Sequence, residues 1–165
     1  MNYSKIRKYD ATNWSGINTS IFFSGCAFKC KGCFNSDIWD FNAGKEFTGE
    51  VMDIFIEYAK SERVDGVCIL GGEPFQQDLD IMLYLVKRLK EEVGKPIHVW
   101  SGYLFEQLIG NPPMRLILDY IDTLVDGQFI LEKKDLTLNY RGSSNQRVID
   151  VQKSINEGEV ILYAK

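Results

Sequence analysis

Apolar positions along the chain fall into short blocks whose period switches between strand-like and helix-like. Asn18 to Ser24, with Ile21-Phe22-Phe23 inside it, reads as a strand running into a cysteine-rich loop. Across residues 50–60, Val51, Ile54, Phe55, Tyr58 and Ala59 occupy i, i+3, i+4, i+7 and i+8, one face of a helix. Gly66 to Leu70 is a short buried strand that ends in Gly71-Gly72-Glu73-Pro74. Residues 78–92 return to helical spacing through Leu79, Met82, Leu83, Val86 and Leu89. Ile97-His98-Val99-Trp100 predicts the next strand, followed by Ser101-Gly102 and a short helix near 103–109. Pro112-Pro113 opens another helix carrying Leu116, Ile117 and Ile121, with proline suited to its first turn. Thr123-Leu124-Val125 reads as a strand before Asp126-Gly127. After residue 132 the pattern weakens to loop, with strands expected at Arg147–Val151 and Glu159–Tyr163.

Strands that alternate with helices predict βαβ units, hence an α/β fold with a parallel sheet. A closed eight-fold barrel takes ~250 residues. The 165 residues of this chain therefore predict an open, partial (β/α) barrel in a single domain spanning 1–165. Composition narrows the class without changing the fold. Hydrophobic residues at 45% and charged residues at 25% exclude wholesale disorder. A net charge of −4 without a Lys/Arg cluster argues against nucleic-acid binding. No apolar run approaches the ~20 residues needed to cross a bilayer. The start, Met1-Asn2-Tyr3-Ser4-Lys5, lacks the apolar core of a secretory signal, so a cytoplasmic protein is expected.

Four cysteines, at 26, 30, 33 and 68, add the chemistry. Cys26, Cys30 and Cys33 form a C-x3-C-x2-C cluster, poorly spaced for disulfides and suited to metal or redox work in a reducing compartment. Cys68 lies in an apolar run and reads as a small buried hydrophobe. A structural zinc site needs four ligands; beyond the three local thiols, the candidates are Cys68, the lone His98 or a carboxylate. A cubane 4Fe-4S cluster held by three thiolates leaves one iron open, where the completed set is four cysteines. The triplet favours the cluster, with a zinc-stabilised interaction module as the alternative. Ligands of open α/β sheets sit outside the carboxyl ends of the strands. The cysteine loop, Gly71-Gly72-Glu73-Pro74, Ser101-Gly102 and Asp126-Gly127 all fall at such ends, which predicts one shared site. Gly71-Gly72 alone is compatible with a tight turn; one strand after the triplet, it reads as a place where backbone approaches a ligand closely.

With this combination the chain resembles the radical S-adenosylmethionine superfamily. Within it, the chain is similar to the small glycyl-radical activases of anaerobic (class III) ribonucleotide reductases. The segments that carry the likeness run nearly end to end: Met1-Asn2-Tyr3, Phe22-Phe23-Ser24-Gly25-Cys26, Gly32-Cys33-Phe34-Asn35, Trp39, Gly71-Gly72-Glu73-Pro74, Trp100-Ser101-Gly102-Tyr103, Val125-Asp126-Gly127-Gln128-Phe129 and Arg141-Gly142-Ser143-Ser144-Asn145-Gln146-Arg147. The last two discriminate, since the triplet and the glycine pair belong to the whole superfamily. One departure is plain. An N-G-x-G-x-R run of many members reads Asn13-Trp14-Ser15-Gly16-Ile17-Asn18, without the arginine.

The resemblance implies an open partial barrel of the radical S-adenosylmethionine type. It implies a 4Fe-4S cluster on Cys26, Cys30 and Cys33, with S-adenosylmethionine on the fourth iron. Gly32, Cys33 and Phe34 would line the adenosyl side, and Gly71, Gly72 and Glu73 the methionine side. Ser101 would bond the ribose or carboxylate, with Asp126 and Gly127 as further candidates. No general acid or base is required. The implied partners are the anaerobic ribonucleoside-triphosphate reductase, on which a glycyl radical is made, and a one-electron donor such as a flavodoxin. Arg141–Arg147 reads either as a solvated loop or as an element that docks the reductase. The nearest rivals are an activase of another glycyl-radical enzyme and a radical enzyme acting on a small molecule.

Overall fold

Eight strands make one mixed, unclosed sheet in a computed structural model that describes residues 1–164. In chain order these are β1 (Asn2–Asp10), β2 (Asn18–Phe23), β3 (Lys45–Glu46), β4 (Gly66–Gly71), β5 (Ile97–Trp100), β6 (Thr123–Asp126), β7 (Arg147–Asp150) and β8 (Leu162–Ala164). Their order across the sheet is β3-β1-β2-β4-β5-β6-β7-β8. Only β2, β4, β5 and β6 pair in parallel; β1, β3, β7 and β8 are antiparallel flanks. The expected parallel sheet is thus present at the centre, and the antiparallel flanks add to it. Parallel neighbours need crossover helices, and the sequence supplies them only between β2 and β6.

Those crossovers are α1 (Gly49–Ala59), α2 (Leu79–Arg88), and the pair α3 (Phe105–Ile109) and α4 (Pro112–Leu118); α5 (Val151–Glu157) follows β7. Their starts are chemically marked. Thr48, Asp78, Asn111 and Asp150 each accept a first-turn backbone N–H from α1, α2, α4 and α5. The helical pattern over 78–92 continues beyond Arg88 as a π turn, Leu89–Val93, stopped by Gly94 in the left-handed region.

Alternation along the central strands sorts side chains onto two faces. Ile21, Phe23, Val67, Ile69, Ile97, Val99, Leu124 and Ile149 join the apolar sides of the helices in the main core. The opposite face carries a smaller cluster of Trp14, Phe22, Cys68, Leu70, Val125 and Val148, flanked by Trp100 and Tyr140. Trp14 plugs this inner face, stacked on His98 at 4.2 Å and on Tyr140 at 3.9 Å between ring centroids. Asn18, at the position of the missing arginine, anchors the Trp14 loop by donating to the carbonyls of Trp14 and Ser15. No described helix is long and apolar enough to cross a membrane.

Candidate functional site

The loop after β2 delivers three cysteines to the carboxyl end of the parallel strands. Cys26, Cys30 and Cys33 are free, half-buried, and line one cleft of about 120 Å³. Gly71, Gly72 and Glu73 from the end of β4 line the same cleft, as do Ser101 and Gly102 beyond β5 and Gly127 and Gln128 beyond β6. Three strand ends therefore converge on the thiols, as their places after β4, β5 and β6 led us to expect, with Gly127 but not Asp126 at the last of them.

Backbone packing accounts for the two glycines in tandem. Gly71 has φ +117°, and a Cβ there would lie 2.5 Å from the backbone N and O of Phe23. A Cβ on Gly72 would lie 2.3 Å from the carbonyl oxygen of Gly25. The pair thus lets the cysteine loop lie directly on the strand end. Backbone bonds from Gly72 N to Phe23 O and from Glu73 N to Gly25 O, each 2.8 Å, seal the contact. Gln77 adds a side-chain staple: its Nε2 lies 3.0 Å from Ser24 O, 3.2 Å from Gly25 O and 3.1 Å from Glu73 O. Gln76 accepts from Ala27 N at 2.7 Å and donates to Tyr103.

Glu73 is fully buried and tied to the next strand end. It accepts from Phe75 N at 3.0 Å, Ser101 Oγ at 2.7 Å and Gly102 N at 2.6 Å. Burial outweighs these bonds and pushes its carboxyl up to about 7. The Ser101 hydroxyl, which also accepts from Tyr103 N at 3.0 Å, is largely engaged in holding this turn. Burial likewise raises the Cys26 and Cys30 thiols, against opposing N–H bonds from Phe28 and Lys29 to Cys26 and from Phe129 to Cys30. The Cys33 sulfur accepts from Asn35 N at 3.4 Å. Amide N–H groups directed at sulfur are a means by which proteins stabilise bound thiolates and tune cluster potential. Cys68 is excluded from this set by its position: it is buried on the inner face, with its thiol pushed up to about 12 by burial.

Two of the expected residues stand outside the cleft proper. Gly32 packs toward Leu131 and Phe129. Phe34 lines an adjoining cavity of about 460 Å³ that shares Trp100, Phe129 and Gln146 with the cleft. Asp126 turns away: it accepts from Phe105 N and pairs with Arg147, which also holds Glu106. The contributions of Gln76 and Gln77 were not signalled by the sequence, because glutamine spacing carries no chemical signature; Gln128 and Gln146 lie in the two discriminating segments, where no role was assigned to them. Gln146 knots the 141–147 loop, accepting from Gly142 N and Ser143 N and donating to Gly127 O.

The donor set fits an iron–sulfur cube better than a single ion. Each thiolate of a cube binds its own iron, so the sulfurs need to share a cleft without meeting at a point. Among the described residues, no three His, Cys, Asp or Glu side chains converge to hold one ion.

Residues 12–149 match the family described as the 4Fe-4S single cluster domain, so this unclosed α/β sheet with a three-thiol loop at its strand ends is a single-cluster iron–sulfur protein. A protein of Vibrio cholerae named anaerobic ribonucleoside-triphosphate reductase-activating protein is 39% identical over 150 residues, 88% of this chain and 96% of that one. The proteins of the same name from Escherichia coli K12 and phage T4 are 38% and 31% identical over 152 residues, 90% of this chain and 97% and 93% of theirs. The chain belongs to the family of anaerobic ribonucleoside-triphosphate reductase-activating proteins.

Proposed function

We propose that this chain, acting as one radical S-adenosylmethionine unit over residues 1–165, activates an anaerobic ribonucleoside-triphosphate reductase by generating a glycyl radical on it. The observation that carries the reading is the meeting of Cys26, Cys30 and Cys33 with Gly71-Gly72-Glu73 in one cleft of a chain from this family. Cys26, Cys30 and Cys33 would hold a 4Fe-4S cluster, which would supply one electron for reductive cleavage of S-adenosylmethionine to methionine and 5′-deoxyadenosine, the hydrogen atom of the latter coming from a glycine Cα–H of the reductase.

The chain's own task is to hold, orient and shield. Cys26, Cys30 and Cys33 are the metal ligands, with N–H groups of Phe28, Lys29, Phe129 and Asn35 directed at their sulfurs. Gly71, Gly72 and Glu73 present a strand end to the methionine portion. Buried Glu73 keeps the Ser101-Gly102 turn at the cleft wall. Gly32 and Phe34 belong to the adenosyl side, at the passage into the larger cavity. Trp100 and Phe129 line both spaces and limit water there. Homolytic chemistry asks for no proton shuttle. The electron comes from a one-electron donor of the flavodoxin kind, and the setting is cytoplasmic.

The test is anaerobic reconstitution with iron and sulfide, followed by S-adenosylmethionine and a reductant. Release of 5′-deoxyadenosine, and an electron paramagnetic resonance doublet on added reductase, are the expected results. A cluster closed by a fourth side chain, or no cluster at all, would overturn the reading.

A further inference from the structure

Two tryptophans line the thiol cleft, and their indole N–H groups are in opposite states. Trp100 donates its Nε1–H to Tyr140 O at 2.7 Å. The Nε1 of Trp39 is buried, with no hydrogen-bond partner among the described residues. An indole nitrogen is a donor only, so nothing but an acceptor can satisfy it. Such a donor, buried and unmade, is costly, and native structures leave few of them.

Beyond the third cysteine the chain folds back and sets Trp39 beside the first. Asn35 N donates to the Cys33 sulfur, and a short turn follows at Ser36–Ile38. Gly25 N then donates to Ile38 O at 2.8 Å and Cys26 N to Trp39 O at 3.0 Å, which ties Trp39 to the start of the cysteine loop. The acceptors already in the cleft are served by other donors. The sulfurs of Cys26, Cys30 and Cys33 receive N–H groups of Phe28, Lys29, Phe129 and Asn35. Glu73, the one carboxylate among the described residues of the lining, accepts from Phe75, Ser101 and Gly102. A 4Fe-4S cluster brings in what the side chains lack: inorganic sulfides, charged acceptors that sit inside the cleft.

We propose that the Trp39 indole N–H donates to an inorganic sulfide of the bound cluster, so that Trp39 orients the cluster and raises its reduction potential. The inference rests on the cluster site proposed above and adds to it a contact that no cysteine makes. Hydrogen bonds to cluster sulfurs are among the features that set potential. The reduced cluster carries one more negative charge than the oxidised one, so the N–H favours the reduced form. Trp39 thereby makes the cluster easier for a one-electron donor to charge.

The test uses the full chain, reconstituted anaerobically with iron and sulfide and without S-adenosylmethionine, its tryptophans labelled with nitrogen-15 in the indole ring. After reduction, electron–nuclear double resonance should show a nitrogen-15 coupling to the cluster that Trp39→Phe abolishes. In a redox titration the midpoint of Trp39→Phe should move to more negative potential. At the parent's midpoint its ratio of reduced to oxidised cluster should be about 2–10-fold lower, the scale of one hydrogen bond. A tryptophan that only packs would give no coupling. If Trp39→Phe takes up no iron, the labelled parent decides: a coupling that persists in Trp100→Phe belongs to Trp39, and one lost there, or no coupling, overturns the proposal. An unchanged midpoint in an iron-loaded Trp39→Phe overturns it too. So does a coupling that appears only once S-adenosylmethionine is added, because the acceptor would then be the cofactor. A parent that binds no iron would sink the proposed cluster site, whereas an iron-loaded parent without the coupling would sink only the Trp39 contact.

Discussion

The two faces of the sheet are built on opposite principles. The outer face buries a continuous set of aliphatic and aromatic side chains against α1, α2 and α4, with Phe55, Leu85, Ile117 and Leu118 at or near zero exposure. The inner face buries few apolar groups and interleaves them with polar ones: Asp10, Ser20, His98 and Thr123. It also opens into cavities of about 460 and 410 Å³ lined by strand residues, whereas the cavity of about 370 Å³ on the other side is lined by the start of α1 and by α2. Stability is concentrated on one side, so the other is free to present thiols and space. Close packing and a ligand-sized void are incompatible demands on one surface.

Substitutions on the two sides should therefore separate folding from chemistry. The largest effect is expected for Cys30→Ala. Iron and sulfide analysis after reconstitution should find the cluster lost, while the unfolding midpoint of the metal-free protein barely moves, because the thiol is half-exposed. A normal cluster spectrum in that variant would remove Cys30 from the ligand set. Phe55→Ala should do the reverse. Urea denaturation should register a loss of about 3–5 kcal/mol from the outer core, with iron bound normally by the folded fraction.

Two buried titratable groups offer a finer test, because burial shifts them in ways that oppose each other. His98, stacked on Trp14 with Nδ1 2.5 Å from Thr123 Oγ1, is pushed down to about 4. Its stabilising neutral form is fully present above the unfolded value near 6.5. That contribution, on the order of 3 kcal/mol, is lost as pH falls from 6.5 toward 4. Glu73 is pushed up to about 7, so the folded protein holds a proton that the unfolded chain releases near 4.5. Its contribution, of similar order, is present below 4.5 and lost as pH rises to 7. The two slopes nearly cancel between pH 4.5 and 6.5. His98→Gln should expose the Glu73 slope, with thermal stability falling as pH rises through that window; Glu73→Gln should expose the opposite slope. Parallel pH profiles for parent and both variants would break this account. The smallest effect is expected for Glu106→Gln, which removes the exposed arm of the Arg147 pair and should cost at most about 1 kcal/mol by thermal melting.

Much of this division was legible before any coordinates. Val51, Ile54, Phe55, Tyr58 and Ala59 mark α1, although Ile54 is exposed and Met52 and Ile56 join Phe55 and Ala59 in the core, and the apolar runs at 66–70 and 97–100 became β4 and β5. Helical and buried-strand periods arise locally, and the cysteine triplet and Gly71-Gly72 are chemically unusual enough to stand out. β1 escaped notice because Asn-Tyr-Ser-Lys-Ile-Arg-Lys-Tyr-Asp is charged and only partly buried, with little apolar alternation. The strand expected at Arg147–Val151 ends one residue early, at Asp150, which also caps α5, a seven-residue helix too short to announce a period. Long-range partners were invisible for a different reason. The Glu73–Ser101 bond joins residues 28 apart, and the Gln77 staple reaches back 53 positions to Ser24. Neither has any local pattern. Arg141 looked like part of a solvated or docking loop; only the fold turns it toward a cavity.

The sheet that stops at β3 on one side and β8 on the other never meets itself. A trough with a missing wall is reached from the side as well as from its ends, so the strand ends that carry the thiols stay open along one whole flank.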